Sequence, residues 1–391
     1  MATVFYFVSS AFVWNDKIIP VVLELARQGN TVYTVFPEAR EHEELRRTVA
    51  YYDWLERYTE IVPLYKTGRG LLGNLGKLWH NLLLKARLRF SRGYLALFDT
   101  KPVDSKRVRR CNELAMRRGR VAVYPPRYDN YRSEIDEETL YAANRDVLQK
   151  RERSRPADCH DSHIVLAYSI HTAKNLTTSG AVRLLSHPKL QSWWSAFLID
   201  NPPLYDREEI VREKEIIPVF LTHFGNFFFE EGTDLDTYVL DIIRAVRRRY
   251  PDTLIVLKPK FTVDVDRLRA ALPEGGMERV VISSTPVSIL AGKALFGITV
   301  CQTSAQFEFL CAGKAWIEYC RYSGFWKEMY PPETYTPRFG GIFSRYFEEL
   351  EEAIDMAGQT GYDLDAFKRM SGFVAQDIDF DFFANEPKSS S

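Results

Sequence analysis

Polar side chains follow several apolar segments in the second half of the chain, where predicted strands end. The positions are His223, Lys258, the pair Thr303-Ser304 and, one helical turn further on, Glu308. In an open parallel sheet, ligands bind outside the carboxyl ends of the strands. A lysine ammonium, and hydroxyls at the start of a helix, are groups that bind phosphate. The pattern therefore indicates a nucleotide or sugar-nucleotide site in this half of the chain.

Each of these residues also has a structural interpretation, which the sequence leaves open. Lys258 is either a point charge for a phosphate or a solvated strand end. Thr303 and Ser304 either bind phosphate or cap the following helix. Glu308 either accepts hydrogen bonds from ribose hydroxyls or compensates the helix dipole. His223 either donates to a leaving phosphate or is a structural histidine.

Two further positions are candidates for the same chemistry. Ser284 belongs to the hydroxyl cluster 283–285 and is a candidate nucleotide-binding residue. The proline at position 286 favours the alternative, an N-cap with Pro at the first helical position. Asp16 lies in the loop after the first predicted strand, where it is the predicted general base for an acceptor hydroxyl. It could equally cap the helix that begins near Lys17.

A basic segment without acidic residues extends from Lys66 to Phe98. Its leucines and one tryptophan alternate with cations, of which four are candidates for a basic patch: Lys77, Lys85, Arg87 and Arg89. Such a segment is typical of a helix on an anionic membrane or against a polyanionic acceptor. The alternative is a core-packed helix with a basic outer face.

The elements that position these residues follow a strand–helix–strand pattern. Val4–Val8 reads as a buried strand, Lys17–Gln28 as an amphipathic helix closed by Gly29, and Thr31–Phe36 as a second strand. This order implies a right-handed crossover in a parallel sheet. Between Pro156 and Asp200 the pattern is weak, and it indicates helical pieces such as Gln191–Leu198.

The alternation of strands and helices restarts after the linker 201–203, which predicts a second parallel sheet. With 391 residues, the chain is about twice the length of a typical domain. The predicted fold class is therefore α/β, with two Rossmann-like doubly wound domains facing across a cleft. The predicted domains are an acceptor-binding domain over 1–200, a donor-binding domain over 201–365, and a C-terminal helix and tail over 366–391 that pack back on the first domain.

Composition and missing motifs exclude several classes of protein. The 52 basic and 52 acidic residues balance, which argues against a nucleic-acid partner. Five cysteines at irregular spacing give no disulfide framework and favour a cytoplasmic protein. No segment reaches the roughly 20 apolar residues of a membrane span. The cluster around Cys159 and His163 lacks a partner cluster, so no metal site is predicted. The sequence contains no Walker A or GxSxG motif.

The chain resembles GT-B glycosyltransferases of bacterial capsule and surface polysaccharide synthesis, including Kdo-transferase-like and CDP-glycerol glycerophosphotransferase-like proteins. The resemblance rests on five stretches: 5–20, 180–194, Lys258-Pro259, Thr303-Ser304 with Glu308, and Gly313-Lys314. The family element that Lys258-Pro259 resembles carries a histidine where this chain has Lys260.

The resemblance implies transfer of a sugar from a CMP-, CDP- or UDP-linked donor to a hydroxyl of a glycan or glycolipid. The donor is a substrate, so no cofactor is expected, and contact with the inner membrane surface is a further expectation. Two alternatives remain open. One is an enzyme like UDP-N-acetylglucosamine 2-epimerase, which shares the two-domain plan, and the other is a non-catalytic nucleotide-binding subunit at the membrane.

Overall fold

The chain folds into two compact units, each built on one fully parallel sheet. Unit 1 contains the described residues of 1–134, 153–204 and 371–391, and unit 2 contains those of 205–370. The computed structural model describes residues 2–8, 15–66, 70–91, 93–98, 106–123, 163–167, 181–186, 188–221, 229–230, 232–233, 235–260, 263–272, 279–301, 303, 305–329, 333–334, 336–359, 365, 368 and 373–383.

The sheet of unit 1 has seven parallel strands in the order β3-β2-β1-β4-β5-β6-β7, so its order reverses between β1 and β4. Apolar and aromatic residues of β1 and β4 are wholly buried, and they form a core with the inner face of the long helix Gly70–Phe90. The strands are β1 (Thr3–Phe7), β2 (Thr31–Phe36), β3 (Glu60–Pro63), β4 (Leu95–Phe98), β5 (Arg120–Val123), β6 (His163–Ala167) and β7 (Ala181–Leu184).

The helices of unit 1 confirm the predicted strand–helix–strand opening. The first helix ends where Gly29 adopts a φ of 84°, and the Gly29 N–H donates to the Ala26 carbonyl at 2.9 Å. A residue without a Cβ closes a helix in this conformation at little cost. The helices are α1 (Asn15–Arg27), α2 (Ala39–Arg46), α3 (Val49–Tyr58), α4 (Gly70–Phe90), α5 (Lys106–Arg118) and α6 (Ser192–Asp200).

Strands β6 and β7 lie between Pro156 and Asp200, where the sequence pattern was weak and no strand was predicted. Both strands are short, at five and four residues. Each pairs in parallel register with its neighbour, for example Ile164 with Ala181. Runs this short carry too few residues to show a strand period, and tertiary pairing decides their conformation.

The C-terminal segment 373–383 belongs to unit 1 and is held there by main-chain hydrogen bonds. The Val374 N–H donates to Ser186 Oγ at 3.0 Å, and the Gln376 N–H donates to Gln191 Oε1 at 2.9 Å. The Trp193 indole N–H donates to the Gln376 carbonyl at 3.1 Å. The segment is therefore held by the side chains of Ser186, Gln191 and Trp193, which lie before α6 and in its first turn.

The sheet of unit 2 has six parallel strands in the order β10-β9-β8-β11-β12-β13. Its central strand β8 is buried along its whole length, as a strand covered on both faces requires. The order reverses between β8 and β11, which are hydrogen-bonded neighbours. The strands are β8 (Ile216–Leu221), β9 (Leu254–Pro259), β10 (Val280–Ile282), β11 (Gly297–Val300), β12 (Trp316–Tyr319) and β13 (Ile342–Ser344).

Helices cover both faces of this sheet. On one face, apolar residues of the helices α8 and α13 form a core with β8, β11 and β12. On the other face, Phe309 of α11 lies against Phe220 with ring centroids 5.1 Å apart. Within the described residues, no helix is long and apolar enough to cross a bilayer. The helices are α7 (Glu208–Arg212), α8 (Leu235–Arg249), α9 (Val265–Ala271), α10 (Val287–Lys293), α11 (Gln306–Cys311), α12 (Gly324–Met329) and α13 (Phe347–Ala357).

Candidate functional site

The carboxyl edge of the unit 2 sheet is the candidate site. Its strand order is the 3-2-1-4-5-6 order of dinucleotide-binding sheets, in which ligands occupy the crevice where the order reverses. Here the reversal lies between β8 and β11. The register places Phe220, Lys258 and Thr299 at one level of adjacent strands. Side chains at one level of a parallel sheet share a face, so Lys258 projects on the α11 face near the reversal point.

Lys258 provides a partly buried cation at this edge. It is the fifth residue of β9 and precedes Pro259, the last residue of the strand. Its ammonium donates to the Ser284 carbonyl at 3.1 Å, which holds the charge beside the carboxyl end of β10. An ammonium so placed can bind a phosphate as a point charge. Lys260, by contrast, is exposed, and its N–H donates to the Leu221 carbonyl at 2.9 Å.

The hydroxyl cluster 283–285 is bound to a carboxylate that the sequence analysis did not single out. Asp206 accepts from Ser283 Oγ at 2.6 Å, from the N–H and Oγ of Ser284 at 2.6 and 2.7 Å, and from Thr285 Oγ1 at 2.7 Å. Burial alone would raise the pKa of Asp206, but these hydrogen bonds outweigh it and lower the pKa below its ordinary value. The two donors of Ser284 thus face a carboxylate, and its carbonyl supports Lys258.

Thr303 lies on the same edge, directly after β11. Its Oγ1 accepts from the Ala305 N–H at 3.4 Å and its carbonyl accepts from the Gln306 N–H at 3.2 Å, so it begins the turn into α11. Thr303 thus accepts two hydrogen bonds in the turn that leads into α11, whose N-cap residue is Ala305. Ser304 lies outside the described residues. Glu308 is the third residue of α11 and is buried.

The residue before this turn has an unusual backbone conformation. Cys301 has a φ of 66°, which is uncommon for a residue with a Cβ. It is buried, and its N–H contacts the Tyr319 carbonyl of the neighbouring strand at 3.4 Å. Strained backbone of this kind occurs often at ligand sites. A positive φ at a cysteine could not be predicted from the sequence, because most positive φ values occur at glycine or asparagine.

A buried carboxylate, Glu318, binds the side chain of Gln306, the first residue of α11. It lies in the apolar strand β12 and is fully buried. It accepts from Gln306 Nε2 at 2.9 Å, Tyr322 OH at 2.5 Å, Thr334 Oγ1 at 2.8 Å and Thr336 Oγ1. Burial raises the pKa of Glu318, while the hydrogen bonds oppose that rise. This network joins Gln306, the first residue of α11, to β12 and to Thr334 and Thr336, and so it holds the start of the helix that carries Glu308.

The remaining predicted residues are distributed as follows. Asp16 is the second residue of α1, so the helix begins earlier than predicted and Asp16 lies within its first turn; its side chain is outside the described part. His223 is also outside the described residues. Among the described residues, no group of three or more His, Cys, Asp or Glu side chains could hold a metal ion.

The basic patch predicted on α4 is divided between two surfaces. Lys85 and Arg89 are exposed, and Lys77 is partly exposed. Arg87 turns toward the sheet, where its guanidinium donates to Glu60 at 3.0 Å and lies 4.2 Å from the centre of the Tyr33 ring. Arg87 therefore secures α4 to β2 and β3 instead of contributing to the exposed charge.

Comparisons with known proteins bear on the fold. No family model matches the chain, and no curated protein sequence matches it. A solved structure of similar fold is Os79 from O. sativa in complex with UDP, with 12% identity, a TM-score of 0.51 and coverage of 94% of each chain. This likeness shows the fold of GT-B glycosyltransferases, and the predicted α/β class is confirmed.

Two further solved structures align over a similar length. The Methanocaldococcus jannaschii UDP-GlcNAc 2-epimerase, in complex with UDP-GlcNAc and UDP, has 12% identity and a TM-score of 0.49, with coverage of 92% of this chain and 93% of that chain. CalG4, the calicheamicin glycosyltransferase, has 15% identity and a TM-score of 0.44, with coverage of 95% and 94%. The structural neighbours thus include both glycosyltransferases and UDP-sugar epimerases.

Proposed function

We propose that this protein is a glycosyltransferase that moves a sugar from a nucleotide-activated donor to a hydroxyl of a glycan or glycolipid. The observation that carries the proposal is the position of Lys258, a partly buried cation at the carboxyl edge of a 3-2-1-4-5-6 sheet, close to the point of reversal. The fold similarity to Os79, which was solved in complex with UDP, supports a nucleotide ligand and makes UDP the first nucleotide to test.

The chemistry of the transfer needs a cation at the leaving group. As the bond from the anomeric carbon to the phosphate oxygen breaks, negative charge develops on the departing nucleotide. Lys258, fixed by its bond to the Ser284 carbonyl, would stabilise that charge without having to reorganise. In the same proposal His223 donates to the leaving phosphate, Thr303 and Ser304 bind phosphate, and Glu308 accepts from the ribose hydroxyls.

The acceptor requires a base to remove its hydroxyl proton as the new bond to the anomeric carbon forms. Asp16 is the proposed base, since it lies in the first turn of α1, the helix that follows β1. A role in capsule or surface polysaccharide synthesis is part of the proposal and rests on the sequence resemblance alone.

The test is release of nucleotide from a panel of UDP-, CDP- and CMP-sugars, with and without an oligosaccharide acceptor. We expect release from one donor class, increased by acceptor, and strongly reduced in Lys258→Ala. The matched control is Lys314→Ala, because Lys314 is also partly exposed but precedes β12 and so lies at the opposite edge of the sheet.

Three results would contradict the proposal. Formation of an epimer without acceptor would identify a 2-epimerase. Nucleotide binding without turnover of any donor would favour a non-catalytic subunit. Equal loss of activity in Lys258→Ala and Lys314→Ala would show that the carboxyl edge of the sheet has no special role.

A further inference from the structure

Exposed apolar side chains concentrate on the outer face of α4. Leu75, Leu78, Trp79 and Leu82 are 52–61% exposed, and Phe90 near the end of the helix is 75% exposed. Eleven large apolar side chains are exposed in the described part of the chain, and these five account for almost half of them. Single exposed apolar residues are ordinary, but a contiguous group marks an interaction surface.

These residues share one side of the helix. At about 100° per residue, the five positions fall together with Lys85 and Arg89 within an arc of about 140°. The opposite side holds the helix on unit 1, because Leu84 and Leu88 are buried in the core and Asn81 Nδ2 donates to the Leu64 carbonyl at 3.1 Å. The packed face therefore fixes α4, and the apolar outer face remains in contact with solvent.

The charge of α4 identifies the chemistry of its partner. The 21-residue helix contains four cations and no acidic residue. Arg87 is paired with Glu60 on the inner side, whereas Lys85 and Arg89 are exposed within the outer arc. Apolar residues and a tryptophan, accompanied by cations on the same face, complement the headgroup region of an anionic bilayer. The long stems of lysine and arginine let the charges reach lipid phosphates while the leucines insert.

We propose that the outer face of α4, defined as Leu75, Leu78, Trp79, Leu82, Lys85, Arg89 and Phe90, binds the surface of an anionic lipid bilayer. The helix lies in the plane of the interface, since no helix of the described residues could cross a membrane. This inference concerns unit 1 alone and does not depend on the identity of the donor or on the proposed transferase activity.

The experiment is flotation of the full chain with phosphatidylcholine vesicles and with vesicles that contain about one-third phosphatidylglycerol, at low and high salt. We expect binding to the anionic vesicles that weakens with salt. The triple variant Leu78→Ser/Trp79→Ser/Leu82→Ser should lose binding at least tenfold. Each basic residue near an anionic surface contributes about fivefold to the affinity. The affinity of Lys85→Gln/Arg89→Gln for anionic vesicles should therefore fall about 25-fold.

A control variant separates this face from exposed apolar residues in general. Ile199→Ser/Val211→Ser makes the same kind of change at side chains that are 81% and 57% exposed elsewhere, and it should bind vesicles as the wild type does. Thermal midpoints and nucleotide binding should be unchanged in all three variants. A loss of vesicle binding is then not caused by unfolding, and it is independent of the test of the proposed function.

The inference is overturned if the wild type does not bind anionic vesicles, or if the triple variant binds them with the same affinity as the control variant. It is also overturned if the wild type is a dimer in solution that the triple variant converts to a monomer, because a second copy would then cover this face.

Discussion

Replacement of Asp206 by alanine should destabilise unit 2 and weaken nucleotide binding at the same time. The Asp206 carboxylate accepts four hydrogen bonds of 2.6–2.7 Å from three consecutive residues, 283–285. The Ser284 carbonyl in turn accepts from the Lys258 ammonium at 3.1 Å. Without the carboxylate, the segment that supports Lys258 loses its anchor. Asp206 is therefore a positioning residue in this account.

The size of the effect follows from these contacts. A hydrogen bond to a charged group contributes about 1.5–3 kcal/mol net. The four bonds share one half-buried carboxylate, and freed hydroxyls can turn to water, so their contributions do not add. We expect a total loss of about 2–3 kcal/mol. For a unit of this size, that loss lowers the thermal midpoint by about 4–12 °C.

The pH dependence provides a second test of the same carboxylate. The pKa of Asp206 is lowered by its hydrogen bonds from an ordinary value of 3.8. Its contribution to stability is therefore present above that ordinary pKa and is lost as the pH falls through the lower pKa of the folded state. Asp206→Asn, which accepts fewer hydrogen bonds, should be less stable than the wild type at neutral pH, and the difference should vanish in acid.

Thermal denaturation followed by circular dichroism, paired with a nucleotide titration, measures both effects. The control is Asp266→Ala, since Asp266 is highly exposed and pairs with Arg269 within α9, and this variant should behave as the wild type does. A midpoint for Asp206→Ala within about 1 °C of the wild type would refute the energetic argument. A lowered midpoint with unchanged nucleotide affinity would refute the link to Lys258.

Two other perturbations test one buried contact in each unit. An added Cβ in Gly297→Ala would lie 1.8 Å from the nearest ring atom of Phe309, so we expect the free energy of unfolding to fall by about 1–3 kcal/mol. The control is Gly292→Ala on α10, where an added Cβ meets nothing within 4 Å, and denaturant titration should find it neutral or slightly stabilising. Burial lowers the pKa of His42, which lies between two tyrosine hydroxyls in unit 1. Stability should therefore decrease as the pH falls below His42's ordinary pKa of 6.5, and His42→Gln should show a shallower decrease; equal slopes would contradict the assignment to His42.

The sequence was sufficient to predict the two parallel sheets and the edge on which Lys258 lies. Continuous apolar runs such as Ile216–Leu221 identify buried parallel strands, and the residue type at each strand end then follows from position alone. The positions of Lys258 and Thr303 at strand ends were predicted in this way, because the end of an apolar run is a local property of the chain.

The supporting contacts could not be predicted in the same way. Asp206 and Ser284 are 78 residues apart, and only the folded sheet brings them together. Glu318 interrupts an apolar strand with one carboxylate, a pattern that signals a buried polar group but does not identify its partners. The short strand β6 pairs with β5, and β7 pairs with β6, so their conformation depends on tertiary pairing that local periodicity could not reveal.

The most direct measurement of the central claim is a calorimetric titration of UDP, CDP, CMP, GDP and ADP into the wild type, Lys258→Ala and Lys314→Ala. The account predicts that one nucleotide binds the wild type and Lys314→Ala with equal affinity. In Lys258→Ala that affinity should fall by about 10–100-fold, the equivalent of one charged hydrogen bond. Unchanged binding in Lys258→Ala, or no binding of any nucleotide to the wild type, would contradict it.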